Sequence, residues 1–477
     1  MKSRAGRIAR FVLRWSIAVL GIAWVVANLH LRDRVLVLDD HNVPVERTLL
    51  ASATESSPLY TVDIDGVSHE VPRDRVINGP DRKTVAVPGT GTPARQARLL
   101  GMRLMGDPAD PNIEPAVLEL LVDDNGAGRF IKPAEVIGGF DLQVPQPRVE
   151  EGILTMLHRA NPILIIGAFA VMPLTYFSTT VRWHRLLRVL GIVMTLRRVL
   201  VLNMVGAFYN TFMPGSTGGD VLKAYYAAKH APSRRTAAVM SVIIDRVLGL
   251  LTLIILGGAM AAVQYAIAED RTSPVARSCL HVAIVAVFLL SATVIGLWLM
   301  YTPWLRRSLG ISALLNRTGG LAEKLRKILE VMQIYRREPG LMLWAILITF
   351  PVHLTVVVSA LLAGKAFGLP IGAGYYFIVV PVIVLAGAVP ISPQGVGVME
   401  AFAFYLTRPA GTTLNQALAL TMSIRLVQIF WNLLGGIFVL RGGYHAPDER
   451  EKAELEAPAS ASICASPDVA PDTAPAT

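Results

Sequence analysis

The chain has 477 residues, of which 53% are hydrophobic and only 17% charged, with two cysteines and a formal net charge of +10. A soluble chain carries about 25% charged residues, so a disordered chain, a disulfide scaffold and most soluble enzymes are excluded. Lys and Arg cluster beside long apolar runs rather than on one basic face, the pattern of a membrane protein and not of a nucleic-acid binder.

The first residues hold Lys2, Arg4, Arg7, Arg10 and Arg14. The apolar run over 11–30 is too long and tryptophan-rich for a secretory signal and lacks a small-residue cleavage site. Residues 1–30 are therefore expected to form an uncleaved first span with a cytoplasmic N-terminus. Residues 31–150 carry 13 Lys and Arg against 19 Asp and Glu, which suits an extracytoplasmic domain. Thr61–Gly66 and Thr84–Pro88 alternate like strands with turn residues between them, so this domain is read as β-rich. Pro- and Gly-rich 86–93 reads as a loop, and Gly89-Thr-Gly91 has no helix pattern or further glycine to make a nucleotide site.

A membrane domain over 151–446 follows. A span near 161–181 leads to Arg182, Arg185, Arg188, Arg197 and Arg198, read as a cytoplasmic flank. The stretch 199–227 is basic on both flanks and broken at Pro214, Gly215, Gly218 and Gly219. It is expected to enter and leave the membrane on the cytoplasmic side. Spans 236–266 and 277–301 come next, then an amphipathic surface helix within 304–338, with Leu321, Leu325, Ile328, Leu329 and Met332 at helical spacing. Span 341–363 goes out again. The stretch 374–406, broken at Pro390, Pro393, Gly395 and Gly397, is read as re-entrant from outside. Span 414–440 ends inside at Arg441, and the Ala/Pro/Ser/Glu-rich 447–477 reads as a disordered cytoplasmic tail. The expected fold is an all-α polytopic membrane protein of six transmembrane helices and two re-entrant segments, with a small β-rich insertion.

The broken segments match in order. Met213-Pro-Gly-Ser-Thr-Gly-Gly-Asp220 and Ser392-Pro-Gln-Gly-Val-Gly-Val-Met-Glu400 each end in an acid at a helix start. Each is followed by a span with an intramembrane arginine, Arg246 or Arg425, and then a glycine pair, Gly257-Gly258 or Gly435-Gly436. Three spans separate them, so the halves are expected to be an inverted repeat, the architecture of transporters with a midplane site.

Asp245 and Arg246 sit roughly 15 Å into their span at 1.5 Å per residue. A charge there costs at least about 3 kcal/mol unless paired or hydrated. Adjacent helical positions diverge by about 100°, so the two are expected to have separate partners. Asp220 and Glu400 are the candidates for the arginines, in a substrate site or in a bundle-locking ion-pair network. Asp220 also suits plain N-capping. The turns, with Asn210 beside the first, precede helix starts whose free N–H groups suit an anion such as a lipid phosphate, with Lys223 offsetting Asp220. Asn203 and Asn210 are candidates for satisfying freed backbone groups. Trp183, Trp304 and Tyr335 read as interface anchors, and His281 and His353 as structural. No P-loop, HExxH, nucleophile elbow or metal-spaced Cys/His cluster occurs, so neither catalytic residues nor a metal or cofactor site are expected.

Arg182-Trp183 with Leu186-Leu187, Asn210 through Pro214-Gly215 to Gly218-Gly219-Asp220, Asp245-Arg246-Val-Leu-Gly-Leu, Pro393-Gln-Gly-Val-Gly-Val-Met-Glu400 and Arg425 together carry a family likeness. Over about 155–441 the chain resembles the flippase-like membrane domain of lysylphosphatidylglycerol synthases. The resemblance implies a domain that moves lipids, and its members differ in lipid. The chain departs from it in lacking room after 441 for an aminoacyl-transferase domain and in carrying 31–150. The expectation is a plasma-membrane protein that flips or scrambles an anionic or modified lipid, with Asp220, Lys223, Asp245, Arg246, Glu400 and Arg425 as substrate-binding residues. The alternatives are an integral-membrane transferase on a lipid-linked substrate and a non-transporting protein whose 31–150 recruits an envelope partner.

Overall fold

Apolar helices long enough to cross a bilayer dominate the computed structural model. It describes residues 23–27, 29–54, 56–80, 84–87, 95–105, 116–124, 126–137, 147–212, 218–302, 333–389, 393–442 and 444–445, with isolated positions 16, 20 and 331. Most of the expected first span, the Gly89-Thr-Gly91 loop, Pro214, Gly215, Pro390, nearly all of the expected amphipathic helix with Trp304, and the tail lie outside the described residues.

The described strands between Arg34 and Glu150 are antiparallel. Strands Arg34–Leu38 (β1), Pro44–Thr48 (β2), Val76–Ile77 and Val149–Glu150 make one sheet. Leu59–Ile64 pairs with Val67–Pro72 through an Asp65-Gly66 turn. Both turn residues have positive φ, 53° and 83°, the geometry that matches strand twist in a two-residue hairpin. Thr84–Val87, Arg95–Met105, Ala116–Asp124 and Ala127–Ile131 make a second four-stranded sheet in chain order. Both strands expected from alternation are present.

The β-region leaves and rejoins the membrane helices at one neck. Arg34 pairs with Glu150 across the sheet, Asp33 Oδ1 accepts from Gly152 N at 2.7 Å, and His30 O accepts from Ile153 N at 2.9 Å. Asn415, fully buried, clasps this neck. Its Oδ1 accepts from His30 N at 3.0 Å, and its Nδ2 donates to His30 O at 3.1 Å and Glu151 O at 3.0 Å.

Helices Ile153–Arg159 (α1), Pro162–Ala170 (α2) and Pro173–Val189 (α3) follow, α2 and α3 together forming one apolar stretch long enough to span. Leu196–Phe212 (α4) and Gly218–His230 (α5) are shorter. Arg235–Ile267 (α6), Pro274–Tyr301 (α7) and Pro339–Ala366 (α8) are long. Ala373–Ala388 (α9) and Val398–Thr407 (α10) are short, and Leu414–Leu433 (α11) runs on into Gly436–Leu440 (α12). Five described stretches are long and apolar enough to cross a membrane: Pro162–Val189, Pro232–Ile267, Pro274–Gly296, Pro339–Ala366 and Leu414–Leu440. The protein is thus a mostly helical polytopic membrane protein with a small β-rich region near its N-terminus. Phe288, Ile295 and Trp298 on α7 and Ile166 on α2 point outward, as side chains facing lipid do.

Trp183 and Tyr335 are not exposed anchors. Both are buried. Trp183 Nε1 donates to Ser241 Oγ at 3.1 Å, and Tyr335 Oη donates to Leu186 O at 3.1 Å. An aromatic with a polar tip is as well served by a buried acceptor as by the headgroup layer, and hydropathy does not separate the two.

The Asn415 clasp gives a first prediction. Asn415→Ala leaves buried backbone groups of the neck unsatisfied, at about 1–3 kcal/mol. Hydrogen exchange should accelerate selectively at the amides of His30 and Gly152–Leu154, while the interior of α6 is unchanged.

Candidate functional site

Two pairs of short helices fold back on themselves. In the first, α4 and α5 approach so closely that a Cβ on Gly219 would lie 1.7 Å from Gly206 O. Asn210 Oδ1 accepts from Gly219 N at 2.8 Å, so Asn210 satisfies a backbone donor freed at the break. Asn203 does not do this. Its Nδ2 donates to Thr180 Oγ1 at 3.0 Å. In the second, α9 and α10 are joined by Tyr375 Oη donating to Leu406 O at 2.8 Å. The intervening turn puts Gln394, Gly395 and Gly397 at φ of 50°, 69° and 85°. Glycine suits two of these positions because it lacks the Cβ that opposes left-handed backbone.

Each pair places its acid on an arginine. Asp220, in the first turn of α5, bonds Arg246 on α6. Glu400, in the first turn of α10 and fully buried, bonds Arg425 on α11. Arg425 Nη2 reaches Glu400 Oε2 at 3.0 Å, and its Nε lies 3.4 Å from Gln394 O. Glu400 Oε2 also accepts from Gly397 N at 2.8 Å. Asp220 is therefore more than an N-cap.

Asp245 faces a different set, as the angle between adjacent helical positions requires. Arg182 Nε on α3 donates to its Oδ1 at 2.7 Å, and Arg182 Nη1 donates to Thr349 Oγ1 on α8, also at 2.7 Å. Lys223 Nζ lies 3.7 Å from Asp245 Oδ2 and 4.4 Å from the centre of the Trp183 ring. Arg182, Lys223 and Asp245 are all buried. Two expectations change here. Arg182, expected on an exposed basic flank, is buried in the packed interior. Lys223 offsets Asp245 rather than Asp220. The signal for Arg182 was its place one residue beyond an apolar run, which a hydropathy window assigns to the flank.

Among the described residues, Arg182 and Lys223 share the one carboxylate of Asp245, whereas Arg246 pairs with Asp220 and Arg425 with Glu400. The folded-back pairs also meet. Gln394 Nε2 donates to Thr211 O at 3.3 Å. Asn432 on α11 donates to Thr211 Oγ1 at 3.1 Å, and its Oδ1 accepts from Tyr176 Oη at 2.7 Å. Asn432 and Tyr176 had no signal in the sequence, because each is defined by a contact between distant segments.

The glycine pairs make reciprocal contacts. A Cβ on Gly257 of α6 would lie 3.1 Å from Pro381 Cβ on α9. A Cβ on Gly435 would lie 2.0 Å from Met204 O, and one on Gly436 2.8 Å from Phe208 Cε2, both on α4. Each half's long helix thus packs on the first limb of the other half's pair. His353 Nε2 sits 2.9 Å from Gly249 O. Among the described residues, no three His, Cys, Asp or Glu side chains gather as a metal site.

Residues 151–436 match the family model of the lysylphosphatidylglycerol synthase TM region, and the match is to that membrane region alone. The chain belongs to this family. It is 23% identical over 290 residues to a UPF0104 membrane protein of Methanothermobacter thermautotrophicus, covering 58% of this chain and 83% of that protein. It is 29% identical over 97 residues to another of Methanocaldococcus jannaschii, covering 20% of this chain and 29% of the relative. No solved structure matches. The acid–arginine pairs and both folded-back helix pairs lie inside the family match. The β-rich region lies before it.

Two outcomes test the packing and the charges. Gly219→Ala should lower stability in detergent by at least about 2 kcal/mol through overpacking. Gly249→Ala, whose Cβ meets nothing within 4 Å, should be neutral or stabilising by about 0.5–1 kcal/mol. Asp245→Asn strips the carboxylate from Arg182 and Lys223, and thermal unfolding should register a loss of about 3–5 kcal/mol.

Proposed function

We propose that this protein translocates an amphipathic lipid with an anionic, phosphate-bearing headgroup across the plasma membrane. The observation that carries the reading is an imbalance of buried charge among the described residues: two cations, Arg182 and Lys223, share the one carboxylate of Asp245. A surplus guanidinium or ammonium in low dielectric favours an anion strongly. Family membership and the helical membrane architecture support lipid handling in general, and the charge narrows it to an anionic headgroup. Matching only the membrane region of the synthases is in keeping with a transport rather than a transfer role.

On this reading the α4–α5 and α9–α10 pairs are re-entrant. Their limbs have 17, 13, 16 and 10 residues, each short of the roughly 20 that cross the hydrocarbon core. The two halves form an inverted repeat, supported by the matched acid–arginine pairs and the reciprocal glycine contacts. With residues 1–30 as a sixth span, both termini are cytoplasmic, 31–150 is extracytoplasmic, 151–446 is the translocating domain and 447–477 a cytoplasmic tail. Arg246 and Arg425 engage the phosphate, and Asp220 and Glu400 hold them when the site is empty. Asp245 and Lys223 set the local charge, and the acyl tails stay in the bilayer.

The test is leaflet exchange of a fluorescent anionic phospholipid in liposomes holding the purified full-length protein. The Arg246→Ala, Arg425→Ala double variant should slow exchange by at least about tenfold, the worth of one lost charge-assisted hydrogen bond. Undiminished exchange in the double variant overturns the site.

A further inference from the structure

A crevice opens between α7 and the second folded-back pair, away from the buried ion pairs. Its cause lies in two adjacent residues of α6. Gly257 faces α9, where a Cβ would lie 3.1 Å from Pro381 Cβ, and Gly258 faces α7, where a Cβ would lie 2.4 Å from Ala286 Cβ. Neighbouring positions on a helix diverge by about 100°. Two helices packed on α6 at about 8–10 Å in those directions stand roughly 12–15 Å apart, about 4–5 Å more than helices in contact. That excess is the width of one hydrocarbon chain at van der Waals separation.

The space left between them has a volume of about 250 Å³. Leu253 on α6, Val285 and Leu289 on α7, and Leu385 and Phe402 on α9 and α10 line it. Among the described lining residues none is Asp, Glu, Lys or Arg. The polar groups collect at the end where α7 meets the turn after α10. His281 stands near the start of α7 and Tyr405 near the end of α10, both exposed. Among the described residues neither makes a hydrogen bond, whereas Ser278 beside them donates its hydroxyl to Pro274 O at 3.0 Å. From His281 to Leu289 the slot runs about 12 Å at 1.5 Å per residue.

The slot is continuous with the lipid phase. Val285 lies one turn from Phe288 on the outward face of α7, and Val285, Phe288 and Tyr405 are all exposed. An apolar cavity of about 150 Å³ already takes up benzene, and one that opens into hydrocarbon fills with chain rather than water. We propose that the crevice is a binding site for one acyl chain of a membrane glycerolipid, whose ester carbonyls accept hydrogen bonds from Tyr405 and His281. The site reads hydrocarbon and ester, not headgroup charge. It holds a resident lipid between α7 and the second folded-back pair, and it stands independently of the translocation reading.

The experiment uses full-length protein in phosphatidylcholine vesicles, a fraction of the lipid carrying a diazirine midway along one acyl chain, with labelled residues mapped after illumination. Label is expected on His281–Leu289 and Phe402–Leu406, denser than at Ile163 and Ile166, which face lipid on α2. Val285→Trp fills the slot and should lower label there about tenfold. Phe288→Trp, outside the slot on the same helix, should leave it unchanged. Tyr405→Phe removes one hydrogen bond and should lower label about threefold to tenfold. This exposed change keeps the test should Val285→Trp fail to fold. The same chain on phosphatidylglycerol should label equally. Label no denser than at Ile163 (boundary lipid only), no label at all (another segment of the chain covering the slot), a preference for phosphatidylglycerol (a headgroup site), or undiminished label in Val285→Trp or Tyr405→Phe each overturns the proposal. The Arg246→Ala, Arg425→Ala protein separates the two readings. Retained label in a protein that moves no lipid keeps the crevice site, whereas label lost with those arginines overturns its independence.

Discussion

A guanidinium inside a bilayer has to carry its counter-charge with it, and this constraint organises the membrane half of the protein. Arg246 and Arg425 lie within long apolar helices, where an unpaired charge costs several kcal/mol even on the most lenient scales. Each is met by an acid on the second limb of a folded-back pair, Asp220 or Glu400. The acid stands in the first turn of a helix, where the dipole also favours negative charge. The break in each segment is what delivers that helix start to the interior. Turn glycines, helix termini and buried arginines are thus one structural device, used twice.

Backbone at such depth has to be satisfied from within the protein, and the polar residues around the breaks do that. Asn210 takes Gly219 N, Glu400 takes Gly397 N, and Gln394 reaches Thr211 O. The last of these joins the two pairs. Gly257 packs on the first limb of the second pair and Gly435 and Gly436 on the first limb of the first, so each long helix is seated against the other pair.

Much of this was legible in the chain because it is periodic or local. Apolar runs located the five described spans to within a few residues, except that the span near 161–181 runs on to Val189. Asp220 and Glu400, the acids expected to meet Arg246 and Arg425, do pair with them. Arg182 shows where the method stops. A hydropathy window placed it at the membrane edge, yet it is buried against Asp245 and Thr349, partners 63 and 167 residues away. Trp183 fails for the same reason. The neck is more remote still, since Asn415 and His30 are 385 residues apart. Such contacts are set by tertiary packing, to which local composition is blind.

The distribution of buried charge differs between the two folded-back pairs. The first folded-back pair, with basic flanks, sits beside a buried set in which cations outnumber acids, and the second is neutral at its centre. On the proposed reading an anionic headgroup would meet surplus positive charge at Arg182 and Lys223 and, at the second pair, an arginine already held by Glu400. A site that bound the phosphate tightly at the centre would trap it, because tight binding to an intermediate slows exit as much as it aids entry. Pairing each arginine with its own acid limits that depth. On the proposed translocation reading the acids are therefore as necessary as the cations, because arginines alone at these positions would bind a phosphate better and release it worse.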